Sequence, residues 1–349
     1  MIHVVLLLGC AVVIYLACEW FVNAVEWFGV EFKVGAVAVG TILAAAGTAL
    51  PESVVTLVAV LFGSKQSGPD IAVGAALGGP LVVGTIAYGV TGAMLLLRKR
   101  SLAKARAASG VGSAGEPPEL QRDGGLAEVD TVRLAKDQTW FLVIFAVKVG
   151  LGLVAFSLKP ALGILFFATY GVYFWREMRA DGDDASGEGL ESLKIQPGRA
   201  TPSRWAVIVQ TIVTVVIIFA ASQLFVRQLE WAGPALGLSP VVVALLLSPV
   251  ATELPEILNA IIWVRAGKTQ LALANISGAM MIQATVPSGI GILFTPWKFD
   301  GALMLAGGLT AAAVIYLLWL LKAGRLTSVK LTAAAGFYAL FAAGLVLVA

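Results

Sequence analysis

Runs of about twenty apolar residues recur from one end of this chain to the other, and they limit its fold more than any other feature. A helix of that length spans the roughly 30 Å of hydrocarbon in a bilayer. In lipid each backbone N–H and C=O must find its partner within the segment, so the runs read as helices. We place ten of them, at about 4–26, 35–62, 71–97, 139–157, 160–178, 205–228, 239–264, 270–296, 301–321 and 329–348. A soluble globule is excluded by polarity. Only 13% of the 349 residues are charged, against about 25% in ordinary soluble domains. The expected fold is all-α and polytopic, with the lipid bilayer as its first partner.

Other classes fall away quickly. No basic stripe lies on a soluble domain, which argues against nucleic acid. Cys10 and Cys18 lie on the same run, about 12 Å apart along a helix, beyond disulfide reach. The sole histidine is His3, and no zinc spacing, nucleophile–base pair or cofactor motif appears in the runs. The chain is therefore not expected to be an enzyme or to hold a resident cofactor. The N-terminus lacks a basic leader, so the first run reads as a retained span.

Two polar stretches, 98–138 and 179–204, interrupt the runs and read as solvated loops. With the N-terminus outside, 19 of the 24 Lys and Arg fall on the inner side and four outside, and Lys148 lies within a run. The positive-inside rule then places both stretches in the cytoplasm.

The sequence repeats itself. At an offset of 204 residues, Glu19-Trp20-Phe21-Val22 falls on Gln223-Leu224-Phe225-Val226, and Glu26-Trp27 falls on Glu230-Trp231. At the same offset, without a gap, Thr48-Ala49-Leu50-Pro51-Glu52 falls on Thr252-Glu253-Leu254-Pro255-Glu256. The expected organisation is a first repeat at 1–178, a linker at 179–204 and a second repeat at 205–349. Each repeat holds five spans, an odd number, so the halves insert with opposite orientation. Inverted repeats of this kind place a transport site at their interface near the midplane.

The chemistry lies in spans 2 and 7. Glu52 and Glu256 fall near their centres, where a charge costs about 2.5–3.5 kcal/mol. Neither span centre carries Lys or Arg, so a bound cation or protons are expected to balance them. Pro51 has no N–H, which frees the Gly47 carbonyl, and Pro255 frees that of Ala251. Thr48 and Thr252 add hydroxyls one turn away. Such an all-oxygen set suits hard ions such as Ca²⁺, Na⁺ or Mg²⁺. Pro80 and Pro287 read as simple kinks. Glu26 and Glu230 read as interfacial, Glu19 as a possible lining of an access path, and Lys148 as snorkelling or paired with an acid.

These blocks resemble those of the sodium/calcium exchanger branch of the cation antiporters. There each inverted repeat carries Gly-Thr-Ser-Leu-Pro-Glu on one helix and Gly-Asn-x-x-Gly-Ser-Asn on the next. Here the first block reads Gly47-Thr48-Ala49-Leu50-Pro51-Glu52, and the second Ala251-Thr252-Glu253-Leu254-Pro255-Glu256. The resemblance implies ten membrane helices as two inverted five-helix repeats, in a prokaryotic plasma membrane. It implies exchange of a divalent cation, Ca²⁺ first, against Na⁺ or H⁺. Glu52 and Glu256 would ligate the metal, with Thr48 and Thr252 beside them. Alternatives are an antiporter for Mg²⁺ or another divalent ion, and a non-transporting member of the fold.

The chain also departs from the pattern. Where the family has small polar groups it carries Ala75, Gly79, Pro80 and Val83, then Ala279 and Met280. Asn275 is kept and Gln283 follows; Asn275 and Ser248 are secondary candidates. Glu253 replaces a serine and adds a third carboxylate three residues before Glu256, on the same helical face if the helix persists. Like charges so close resist joint ionisation, which makes Glu253 a candidate proton carrier. Three carboxylates also exceed a divalent ion by one charge, which favours proton-coupled over simple sodium-coupled exchange.

Overall fold

Apolar length and helix-forming residues dictate a set of helices, and the computed structural model supplies them. It describes residues 2–35, 38–62, 68–109, 126, 129–179, 190–235, 246 and 248–348. The first helix, α1 (Ile2–Phe32), is followed by a wide π-type turn (Val39–Ala44) that leads into α2 (Ala45–Phe62). Helix α3 (Gly68–Val82) passes through a second wide turn (Val83–Ala87) into α4 (Tyr88–Ser109). Helix α5 (Thr131–Leu153), a short 3₁₀ turn (Lys159–Leu162) and α6 (Gly163–Arg179) complete the first half. The second half holds α7 (Arg204–Ala235), α8 (Ser248–Thr252), α9 (Leu254–Arg265), α10 (Thr269–Phe294), α11 (Gly301–Lys322), α12 (Ser328–Ala333) and α13 (Ala335–Val348). Among the described residues, six helical stretches are long and apolar enough to cross a membrane. The chain is a polytopic helical membrane protein.

Helix α10 is the axis of the molecule. It packs against α2, α3, α5, α6 and α9, and 89% of its most apolar window is buried. Small residues permit this close approach. A Cβ built on Gly278 would stand 2.0 Å from the Thr41 carbonyl oxygen, and one on Gly40 would stand 2.8 Å from the Ala274 Cβ. The wide turn before α2 is thereby pressed onto α10. Helices α1 and α7 pack along each other at the periphery. They leave Val5, Leu8, Val12, Val209, Ile212 and Val216 exposed for hydrocarbon. The pair is fastened at one end by His3, which stacks on Trp231 with ring centroids 3.7 Å apart. The His3 Nδ1 also lies 2.7 Å from the Gln228 Oε1.

The polar stretches differ from expectation. Most of 98–109 is Arg, Lys, Ala and Leu, strong helix formers that carry α4 on to Ser109. Helix α5 begins eight residues before the apolar run, because the Asp130 side chain accepts the Arg133 N–H at 2.9 Å as an N-cap. The rest of the first stretch, 110–125 and 127–128, lies outside the described residues. In the second stretch, 180–189 lies outside them, and 190–203 is mostly exposed, as expected of a solvated loop, but is anchored at a few points. Leu193 is fully buried with Trp27 and Val207. The Asn23 Oδ1 accepts the Lys194 N–H at 3.1 Å, and the Trp27 Nε1 donates to the Glu191 carbonyl at 2.8 Å. Glu26, read as interfacial, pairs with Lys268 at 2.5 Å and accepts the Trp263 Nε1 at 2.9 Å. The Glu230 side chain lies outside the description.

Candidate functional site

The two Leu-Pro-Glu blocks fold differently. In the first, α2 runs through Thr48 and Glu52 without a break. The irregularity expected at Pro51 is displaced to the wide turn ahead of it, where Gly40 and Gly278 draw the chains together. In the second, α8 stops at Thr252 and α9 starts at Leu254, with Glu253 between them at φ −87° and ψ 4°. Pro255 falls in the first turn of α9, where a missing N–H costs nothing. Glu256 lies in that same turn, facing the positive end of the helix dipole.

These elements bring the charged groups together across the halves. The Thr252 hydroxyl and the Glu253 carboxyl lie beside Glu52. The Thr48 hydroxyl lies beside Glu256, which also feels the charge of Glu52. Each threonine therefore serves the glutamate of the other block. The Gln283 Nε2 donates to the Glu253 Oε2 at 2.6 Å. Glu253 is accommodated by a missing side chain, since a Cβ on Gly79 would lie 2.9 Å from its Oε1 and 3.2 Å from the Gln283 Cδ. Neighbouring Gly78 admits α8 in the same way, with Pro249 Cγ 2.6 Å from its would-be Cβ.

All three carboxyl groups are out of solvent, at 3%, 1% and 0% exposure for Glu52, Glu253 and Glu256. Their oxygens are under-satisfied. Oε2 of Glu52, Oε1 of Glu253, both carboxylate oxygens of Glu256 and Oε1 of Gln283 have no hydrogen-bond partner among the described residues. The two threonine hydroxyls are shared between these carboxylates and their own backbone. Thr48 lies 3.1 Å from the Ala44 carbonyl and Thr252 3.1 Å from that of Pro249. Backbone acceptors add to the set, because Pro51 and Pro255 leave Gly47 and Ala251 without their helical donors. Among the described residues, no three acidic, His or Cys side chains are already closed on one metal position. The carboxylates border a shared volume rather than a finished cage.

Secondary candidates fare unequally. Asn275 is fully buried with both amide atoms unpartnered among the described residues, and its backbone lies against Gly40 at the wide turn. The side chains of Ser248 and Ala251 lie outside the description. Sequence reasoning passed over one residue of α5, Asp137, and left another, Lys148, between snorkelling and pairing with an acid. Asp137, assigned to a loop, is buried in the helix and accepts the Ser277 hydroxyl at 3.3 Å. Its signal was the helical spacing of Leu134, Asp137, Gln138 and Phe141 behind the Asp130 cap. Lys148 is fully buried, and its charge acts on Glu52. The positive charge missing from spans 2 and 7 is thus partly supplied by a neighbouring helix.

The sequence profile of the family described as sodium/calcium exchanger protein matches residues 2–178 and 206–349. The chain belongs to the sodium/calcium exchanger family. Its likeness to solved exchangers extends over the whole length. The sodium-calcium exchanger NCX_Mj, soaked with Na⁺ and without Ca²⁺, superposes with a TM-score of 0.71 at 16% identity and 98% coverage of both chains. The same protein soaked with Na⁺ and Ca²⁺ gives 0.71 at 17% identity, with 99% of both chains covered. At this identity the likeness shows the fold alone. Inner membrane protein YrbG of Escherichia coli (strain K12) is 24% identical over 303 residues, covering 84% of this chain and 80% of YrbG. CaxA of Alkalimonas amylolytica, assigned as an antiporter, is 27% identical over 184 residues, half of this chain and 55% of CaxA.

Proposed function

We propose that this chain is a secondary active antiporter that exchanges a divalent cation, Ca²⁺ first, against Na⁺ or H⁺ by alternating access at a midplane site. One observation carries the proposal. Four carboxylate oxygens and one amide oxygen are buried together with no hydrogen-bond partner among the described residues. Unpaired acceptors in a low-dielectric interior are costly, and a hard cation relieves all of them at once. Glu52 and Glu256 are the divalent ligands, with the hydroxyls of Thr48 and Thr252. Glu253, Gln283 and the carbonyls of Gly47 and Ala251 complete the oxygen set. The ions named for NCX_Mj, Na⁺ with Ca²⁺ or Sr²⁺, are of this hard class.

The inverted-repeat arrangement belongs to the same proposal: ten membrane helices, halves at 1–178 and 205–349, and an N-terminus outside. Side-chain pairs across α5 and α10 support the threading. Asp137 meets Ser277 and Lys148 meets Ser288, so the two helices run in the same direction, as spans 4 and 8 of such a topology must. The test is ⁴⁵Ca²⁺ uptake into vesicles reconstituted with the purified protein, with a Na⁺ or a pH gradient imposed alone. Uptake driven by either gradient is the expected result. No uptake of Ca²⁺, Mg²⁺ or Sr²⁺ under any gradient would overturn the reading in favour of a non-transporting member of the fold.

A further inference from the structure

Lys148 stands in the apolar half of α5, where an unpaired ammonium is expensive. It does not snorkel, being completely buried. Its Nζ donates to the Ala76 carbonyl at 2.8 Å and to the Ser288 hydroxyl at 3.1 Å, and the Phe145 ring lies 4.9 Å away. The two prolines read as simple kinks prepare these ligands. Pro80 stands four residues after Ala76 and leaves its carbonyl without a helical donor. Pro287 does the same for Gln283, whose carbonyl takes the Ser288 hydroxyl proton at 3.2 Å, turning the Ser288 lone pairs towards the ammonium. The backbone of Lys148 is itself held, its carbonyl accepting the Trp297 Nε1 at 2.9 Å. A freed carbonyl, a hydroxyl and a nearby carboxylate are the ligands that a small hard monovalent cation takes.

We propose that the Lys148 ammonium is a tethered monovalent cation, filling one cation position of the site beside Glu52. This rests on the antiporter reading and refines its charge balance. Ionised Glu52, Glu253 and Glu256 carry three negative charges, Lys148 supplies one positive, and one divalent ion supplies the remaining two. The divalent-bound state then needs neither a co-bound Na⁺ nor a proton held on Glu253. The tether also accounts for the thinned polar side chains at the end of α3 and the start of the wide turn that follows it. At Gly79, Pro80 and Val83 a mobile monovalent ion would need ligands, and a fixed ammonium one turn away does not.

Equilibrium ⁴⁵Ca²⁺ binding to the purified full-length protein in choline chloride tests this through the sign of a double-variant cycle. Lys148→Gln keeps a donor for the Ala76 carbonyl and removes the charge; Lys148→Met replaces it if Gln does not yield a monodisperse protein. Either is expected to tighten Ca²⁺ binding at least tenfold, because it removes a like charge from beside the ion. Glu253→Gln alone is expected to weaken it, because it leaves the bound state with surplus positive charge. Added to either Lys148 variant, Glu253→Gln is expected to restore binding to within about threefold of wild type. Three results would each overturn the tethered charge: wild-type or weaker affinity in the Lys148 variants, no loss in Glu253→Gln alone, or a double variant that binds more than about threefold away from wild type. Absence of divalent binding by the wild-type protein is a different failure, that of the antiporter reading itself.

Discussion

Glu253 and Gly79 act as one exchange of volume. The serine expected at 253 has become a carboxylate, and the serine expected at 79 has become a hydrogen atom, and the two changes meet at 2.9 Å. The doubled block made Glu253 visible in the sequence, but its partner could not be seen there, since residues 79 and 253 are joined only by the fold. Restoring a side chain at the glycine is therefore predicted to conflict with the acid. Gly79→Ser is expected to cost about 1–3 kcal/mol of stability, the usual range for overpacking, and to lower divalent transport at least tenfold. Gly79→Ser with Glu253→Ser is expected to recover the lost stability. Thermal melting of the single and double variants measures this, and an additive loss would contradict the shared volume. Glu52 and Glu256 answer to a simpler rule. Glu52→Gln or Glu256→Gln is expected to cut divalent transport at least a hundredfold in flux assays. Both variants should melt no lower than wild type, since neutralising a buried carboxylate removes a desolvation cost. Transport near the wild-type rate in either would show that the carboxylate is not a ligand.

Among the helices, hydropathy located the segments and misjudged their ends. A window of apolar residues sees lipid contact, whereas helix ends are set by caps and formers such as Asp130 and the Ala, Lys and Arg of 98–109. The proline blocks show a second limit. Identical Leu-Pro-Glu sequences suggest identical breaks, yet only the second block is interrupted, because Glu253 lies between α8 and α9 while tight packing on α10 moves the first irregularity to Val39–Ala44. Two substitutions test these elements. Pro255→Ala returns an N–H to the Ala251 carbonyl and favours a continuous helix through Glu253. It is expected to reduce divalent transport at least tenfold without loss of folded protein; unchanged transport would show that the break is incidental. Gly278→Val places methyl groups where the Thr41 carbonyl already stands. It is expected to destabilise by about 3 kcal/mol or more, the upper range for overpacking with backbone movement. A melting temperature equal to wild type would mean that the wide turn is not fastened to α10.

Across the whole molecule, burial sorts the helices by role. Helix α10 is enclosed, α1 and α7 present apolar faces to lipid, and the acids and Lys148 lie inside. The fold class and the two glutamates were legible because lipid forces uniform apolar runs and tolerates buried charge only for a purpose. Lys148 and Asp137 were not, since a lone charge on a helix does not reveal which neighbour it meets. The central claim is that Glu52 and Glu256 hold one transported divalent ion between them. Gradient-driven ⁴⁵Ca²⁺ flux in reconstituted vesicles, wild type beside Glu52→Gln and Glu256→Gln, tests it most directly. The account predicts flux in the wild type and its loss in both variants; equal flux in all three proteins would contradict it.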